Sequence, residues 1–250
     1  MRAFTSASAS ALPSAATVPL AHRVLGAPQA PPLLLLHGLT GEGAHWGPVA
    51  DAFARDWRVH VADLRGHGAS PRTLRYSFEL MRDDVLALLH TLGLAEVTIV
   101  GHSLGAVVGY LTALAEPGAV RALVLEEPPP PIPLGRPIPE ATADDCPYDQ
   151  RAVGQILSQV NAPDPGLFDR LREITVPALV IGGAASHLPQ DVLAEMARRM
   201  PNGEFATLQT GHCVHAERPE EFVDLVRAFF ARRLAPDRRP AAAEGPPTTR

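Results

Sequence analysis

Cysteine is nearly absent: Cys146 and Cys213 are the only two in 250 residues, too few and too far apart in the chain for a disulfide framework. That scarcity suits a reducing compartment, and a cytosolic protein is expected. No apolar run approaches the roughly 18 residues that a membrane-spanning helix needs. The start of the chain, Met1-Arg2 followed by an Ala/Ser-rich run to Thr17, has no continuous apolar stretch of the kind a secretory leader carries. Neither secretion nor a membrane partner is expected. Positive charge is not in excess either: 22 basic against 27 acidic residues give a net charge of −5. With no overall basic field to hold a phosphate backbone, nucleic acid is not an expected partner. Lysine does not occur at all, every basic side chain being arginine, which reads as a coding bias and carries no mechanism.

The composition that remains is globular. Hydrophobic residues at 46% and charged residues at 20% exclude global disorder, and the length suits one domain. Residues 1–17 and 235–250 are rich in Ala, Ser, Pro and Thr without periodicity and read as disordered tails. Between them, short apolar runs at Pro32–His37, Arg58–Ala62, Val97–Gly101, Val120–Glu126, Ala178–Gly182 and Glu204–Gln209 predict strands. They alternate with segments of helical period at 46–55, 77–92, 104–116, 189–200 and 219–233. Leu33 to Leu36 are apolar at every position, as expected of a parallel sheet covered by helices on both faces, so an α/β fold follows. The alternation breaks once, over residues 128–175, a stretch that opens with four consecutive prolines. It reads as a small lid inserted between the two parts of a core, 18–127 and 176–234.

Gly101-His102-Ser103-Leu104-Gly105 matches G-x-S-x-G and lies between a predicted strand and a predicted helix. A serine on so sharp a turn needs a strained backbone, tolerable only where flanking glycines lack a Cβ, and its hydroxyl then stands above the sheet beside free amides. His37-Gly38-Leu39-Thr40-Gly41 follows another apolar run and can supply a second amide, so Leu39 and Leu104 are the candidate oxyanion donors. With Asp63-Leu64-Arg65-Gly66-His67-Gly68-Ala69-Ser70 after the next run, these segments make the chain resemble the α/β-hydrolase superfamily, as a serine-esterase-like member, over roughly residues 18–234.

The resemblance implies an eight-stranded, mostly parallel sheet with helices on both faces, a small lid, and a nucleophile, an acid and a histidine in that chain order. Ser103 is then the nucleophile. His212 follows the last strand, where the family keeps its catalytic histidine, with His215 as a competitor. The chain departs from the commoner family pattern at the acid, because Ser186 stands where most relatives carry Asp after the strand expected at Ala178–Gly182. Glu126, at the end of the preceding strand, is the chosen acid, with Glu127 and Asp191 as alternatives. A Glu126 carboxylate oxygen is accordingly expected about 2.6–3.2 Å from His212 Nδ1. His102 reads as a packing residue and Cys213 as a buried small side chain. His37, His45, His60 and His67 show no metal-ligand spacing, and neither a metal nor a cofactor is expected.

The leading function is hydrolysis of a carboxylic ester, lactone or thioester through an acyl-enzyme on Ser103, with a small molecule as substrate. A carboxylate nucleophile, as in epoxide hydrolases and haloalkane dehalogenases of this fold, is missing. Carbon–carbon bond hydrolysis, a non-catalytic small-molecule binder on the same scaffold, and a cofactor-free oxidative role are the alternatives. Oligomeric state is not legible.

Overall fold

The computed structural model describes residues 16–140 and 146–234. The expected tails lie outside the described residues except for Ala16 and Thr17. All six apolar runs form strands, and a short strand precedes them: β1 (His22–Leu25), β2 (Pro32–Leu36), β3 (Arg58–Ala62), β4 (Val97–His102), β5 (Val120–Glu126), β6 (Ala178–Gly183) and β7 (Gly203–Leu208). They form one sheet in the order β1-β3-β2-β4-β5-β6-β7. Every pairing is parallel except that of β1 with β3. The sheet thus has seven strands among the described residues where the family resemblance implies eight. β1 escapes the apolar pattern because it is an edge strand, His-Arg-Val-Leu, whose first three residues are exposed.

The four leucines of β2 show why its pattern is continuous. Leu34 and Leu36 enter one apolar layer, Leu33 and Leu35 the other, as period-2 alternation demands. The first layer is closed by α2 (Phe78–Leu92), α3 (Leu104–Ala115) and α6 (Gln190–Arg199), the second by α1 (Gly47–Phe53) and α8 (Pro219–Arg233). Helix ends follow local chemistry. Ser77 caps α2 by accepting from Leu80 N, and Gly93 ends it in the left-handed conformation that glycine adopts without strain. Among the described residues no helix is long and apolar enough to cross a membrane.

Between β5 and β6 the chain leaves the sheet. Its described parts hold an extended proline-rich strap, α4 (Gln150–Asn161) and α5 (Leu167–Arg170). Ala152, Val153, Ile156 and Val160 give α4 a buried face. Polar ties fix its register: Gln155 and Gln159 side-chain oxygens accept from the Tyr76 and Phe78 amides, each at 2.9 Å, and Tyr76 OH donates to Asp149 at 2.7 Å.

Chain order explains where a ligand can sit. β2 and β3 are laid down in one direction and β4 on the opposite side of β2, so the winding reverses between β2 and β4, and crevices at such reversals open beyond the strands' carboxyl ends. The loop after β3 is organised around buried polar contacts. Arg65 Nε and Nη2 donate to Asp84 at 2.5 and 2.6 Å, and the Val18 amide donates to the same carboxylate at 2.8 Å. Both side chains are fully buried. Removing the acid leaves an uncompensated guanidinium in the core, so Asp84→Ala is expected to lower the urea unfolding free energy by about 3–5 kcal/mol. A loss below about 1 kcal/mol would show that the pair is not structural.

Candidate active site

β4 leads into α3 through Ser103, whose φ of 51° and ψ of −110° lie outside the regions serine ordinarily adopts. Such a residue stores about 1–3 kcal/mol and persists only where its surroundings over-determine it. A Cβ on Gly101 would lie 2.4 Å from the Gly105 carbonyl oxygen, and one on Gly105 would lie 2.2 Å from that of Leu36. The Ser103 amide donates to the Glu126 carbonyl at 2.8 Å and the Gly105 amide to that of His37 at 3.1 Å. These ties lock the turn between β2 and β5.

Ser103, Leu104, Leu39 and His212 all line one cavity of about 240 Å³. The loop that carries Leu39 is itself constrained: Thr40 has φ of 66°, and a Cβ on Gly38 would meet His102 Nδ1 at 2.6 Å. The Leu39 and Leu104 amides have no partner among the described residues, and Leu104 opens α3, where the helix dipole favours negative charge. Ser103 Oγ likewise makes no hydrogen bond among the described residues, with His212 Nε2 or any other group.

The carboxylate facing His212 is Glu127, not Glu126. His212 Nδ1 donates to Glu127 Oε2 at 2.9 Å. Glu126 accepts instead from His215, from its amide at 2.9 Å and its Nδ1 at 2.7 Å. Alternation along β5 is the reason. Val124 lies in the layer beneath α1 and α8, and Glu126, two residues on, points the same way toward His215, which stacks on Trp46 with ring centroids 4.2 Å apart. Glu127 follows with φ of 49° and turns to the opposite side.

Glu127 is wholly buried and fully engaged. Besides His212 it accepts from the Gly183 amide at 2.7 Å, from Gln190 Nε2 at 3.0 Å and from Ser186 Oγ. Burial alone would raise its pKa, but bonds from His212, Ser186, Gly183 and Gln190 together hold it below the usual carboxylate range. Ser186 therefore does not stand in for a carboxylate; it holds one, Glu127. Nothing in the sequence pattern marks that role or that of Gln190. Asp191 is exposed in the first turn of α6, away from these partners.

A family model described as the alpha/beta hydrolase fold matches residues 31–145. The chain is 28% identical to the sn-1-specific diacylglycerol lipase ABHD11 of Mus musculus, over 86% of each protein. Among solved structures, a hydrolase from Pseudomonas aeruginosa superposes with a TM-score of 0.75 at 25% identity, over 84% of this chain and 94% of that one. An enol-lactonase from Burkholderia xenovorans gives the same TM-score at 24% identity, over 85% and 96%, a likeness of fold. This chain has the α/β-hydrolase fold.

The hydrolase holds its histidine loop at further points. His102 Nε2 donates to the His212 carbonyl at 3.0 Å, so His102, expected to pack, also positions the loop. Cys213 is exposed rather than buried. Its thiol is pushed up, first by desolvation and then by Glu126, Glu217 and Glu127, which suppresses the thiolate a nucleophile needs.

Burial lowers the pKa of His102 to about 4 and that of His37 to about 3. Both therefore stay neutral in the fold at pH values where the unfolded chain, with ordinary histidines near 6.5, takes up protons. Stability should accordingly be fully present above about pH 6.5 and fall as the pH drops toward 4, by several kcal/mol in order of magnitude. Urea midpoints measured from pH 7.5 to 4.5 check this; a flat profile contradicts it. His102→Asn should make the decline shallower.

Proposed function

We propose that this α/β hydrolase cleaves a carboxylic ester, lactone or thioester through an acyl-enzyme on Ser103, with His212 as general base and Glu127 as its acid partner. The observation that carries the reading is the 2.9 Å bond from His212 Nδ1 to a buried, fully hydrogen-bonded Glu127, in the wall of the cavity that Ser103 also lines. Because Nδ1 carries the proton, Nε2 is left as the acceptor, the tautomer a base must have. In the first half-reaction Ser103 Oγ bonds to the acyl carbon while its proton passes to His212 Nε2. The carbonyl becomes an oxyanion, for which the Leu39 and Leu104 amides are the donors. The tetrahedral species collapses, the alcohol or thiol leaves with the proton from His212, and water repeats the sequence to release the acid and restore Ser103. Glu127 stays ionised and offsets the imidazolium charge. Pro129, Leu134, Val153 and Ile156 from the 128–175 insertion line the same cavity, which supports its reading as a lid between the core segments 18–127 and 176–234. Similarity to a named diacylglycerol lipase favours oxygen-ester hydrolysis.

Steady-state hydrolysis of 4-nitrophenyl butyrate and labelling by a fluorophosphonate test the assignment. Ser103→Ala should abolish both. Glu127→Gln should lower kcat by about 10³–10⁴-fold, as loss of tautomer control does in serine triads. Glu126→Gln should act mainly on stability, since its partner is His215. Labelling without turnover would favour the binder; a larger kcat loss from Glu126→Gln than from Glu127→Gln would overturn the acid assignment.

A further inference from the structure

The cavity over Ser103 is walled mainly by apolar side chains, Leu39, Phe78, Leu134, Val153, Ile156 and Leu188 among them, yet Arg136 also lines it. Its backbone is fixed at both polar groups: the amide donates to Asn161 Oδ1 at 2.6 Å, and the carbonyl accepts from Asn161 Nδ2 at 2.8 Å. Asn161 ends α4, so the strap is pinned to that helix at this residue. The guanidinium, by contrast, makes no hydrogen bond or ion pair among the described residues. Arg65, Arg151, Arg199 and Arg233 all have carboxylate partners, so a free head group facing a cavity needs a reason.

Among the described residues no carboxylate lining the cavity is available to it. Glu127 spends both oxygens on Gly183, Ser186, Gln190 and His212, and nearby Glu79 accepts from Gln159 Nε2 at 2.8 and 2.9 Å. His187 also lines the cavity, its ring 4.7 Å from that of His212. Burial, and then the proximity of His212 and Arg136, hold it below the ordinary histidine pKa, so near pH 7 it adds no charge. Among the described residues the cavity wall thus carries one positive charge without an acidic partner, on a half-buried arginine among mainly apolar neighbours. A planar guanidinium matches a carboxylate bidentately.

We infer that the substrate carries a free carboxylate in addition to the scissile acyl group, and that Arg136 is the residue that selects it. The substrate class is a small half-ester, lactone or thioester of a dicarboxylic acid, or an ester whose alcohol part bears the acid. The inference rests on Ser103 as nucleophile only for turnover, because recognition by Arg136 can be measured without it.

Three probes separate the cases: 4-nitrophenyl butyrate is neutral, mono(4-nitrophenyl) glutarate carries the carboxylate on the acyl side, and 4-carboxyphenyl acetate carries it on the leaving group. In the wild type, kcat/KM for at least one charged ester relative to the neutral one should exceed that ratio in Arg136→Gln by about tenfold or more, chiefly through KM. Arg136→Lys should lie between them. Glutarate binding, followed by calorimetry, should weaken by a similar factor in Arg136→Gln, and thermal melts report whether each variant is folded. If the neutral ester is hydrolysed but neither the ratio nor glutarate affinity depends on residue 136, the carboxylate inference is overturned and the hydrolase mechanism stands. If no ester turns over while glutarate binds in an Arg136-dependent way, the mechanism fails and the anion site stands.

Discussion

The backbone at Ser103 is held in a conformation that serine avoids, and the packing that holds it organises the middle of the fold. Two close approaches do this, Gly101 against the Gly105 carbonyl and Gly105 against the Leu36 carbonyl, at distances that leave no room for a Cβ. They press the first turn of α3 onto the carboxyl end of β2, and Leu39 and Leu104, whose amides have no partner among the described residues, line one cavity. The turn is bonded on both flanks, to β5 through the Glu126 carbonyl and to the loop after β2 through that of His37. Strain at one residue is tolerated because four segments resist its release.

The histidine loop after β7 is held in a comparable way. Consecutive residues at the end of β5 each capture one of its histidines, Glu126 taking His215 and Glu127 taking His212. His102, next to Ser103, holds the His212 carbonyl. The Glu126 pair sits in the layer under α1 and α8 beside Trp46, so the loop is anchored in the core on one side while His212 faces the cavity on the other. Two Glu–His pairs, one in the core layer and one at the cavity wall, thus arise from adjacent residues, divided by the side each presents at the end of one strand.

The insertion supplies what the sheet cannot. Its strap and α4 add apolar side chains and Arg136 to the cavity, and glutamine and asparagine contacts fix α4 to α2 and to the strap. The cavity wall is therefore built from two separate stretches of chain, the loops at the sheet ends and the insertion, which lets the second vary without disturbing the first.

The layered α/β architecture is legible in the sequence, because continuous apolar runs and 3.6-residue periods report local burial directly. The strained serine turn is legible for a related reason: glycines at 101 and 105 around a serine record a steric requirement of the backbone itself. β1 is not, since an exposed edge strand carries no apolar alternation, and neither is the exposure of Cys213. The acid shows the boundary most sharply. Two glutamates in a row identify the end of β5 as acidic, but which of them meets His212 depends on the face each presents and on the left-handed backbone at Glu127. Ser186, Gln190 and Arg136 acquire their roles only when distant segments close around them. Local periodicity is a property of neighbours in the chain, whereas hydrogen-bond partners and cavity walls are set by how the elements pack, and that is decided in three dimensions.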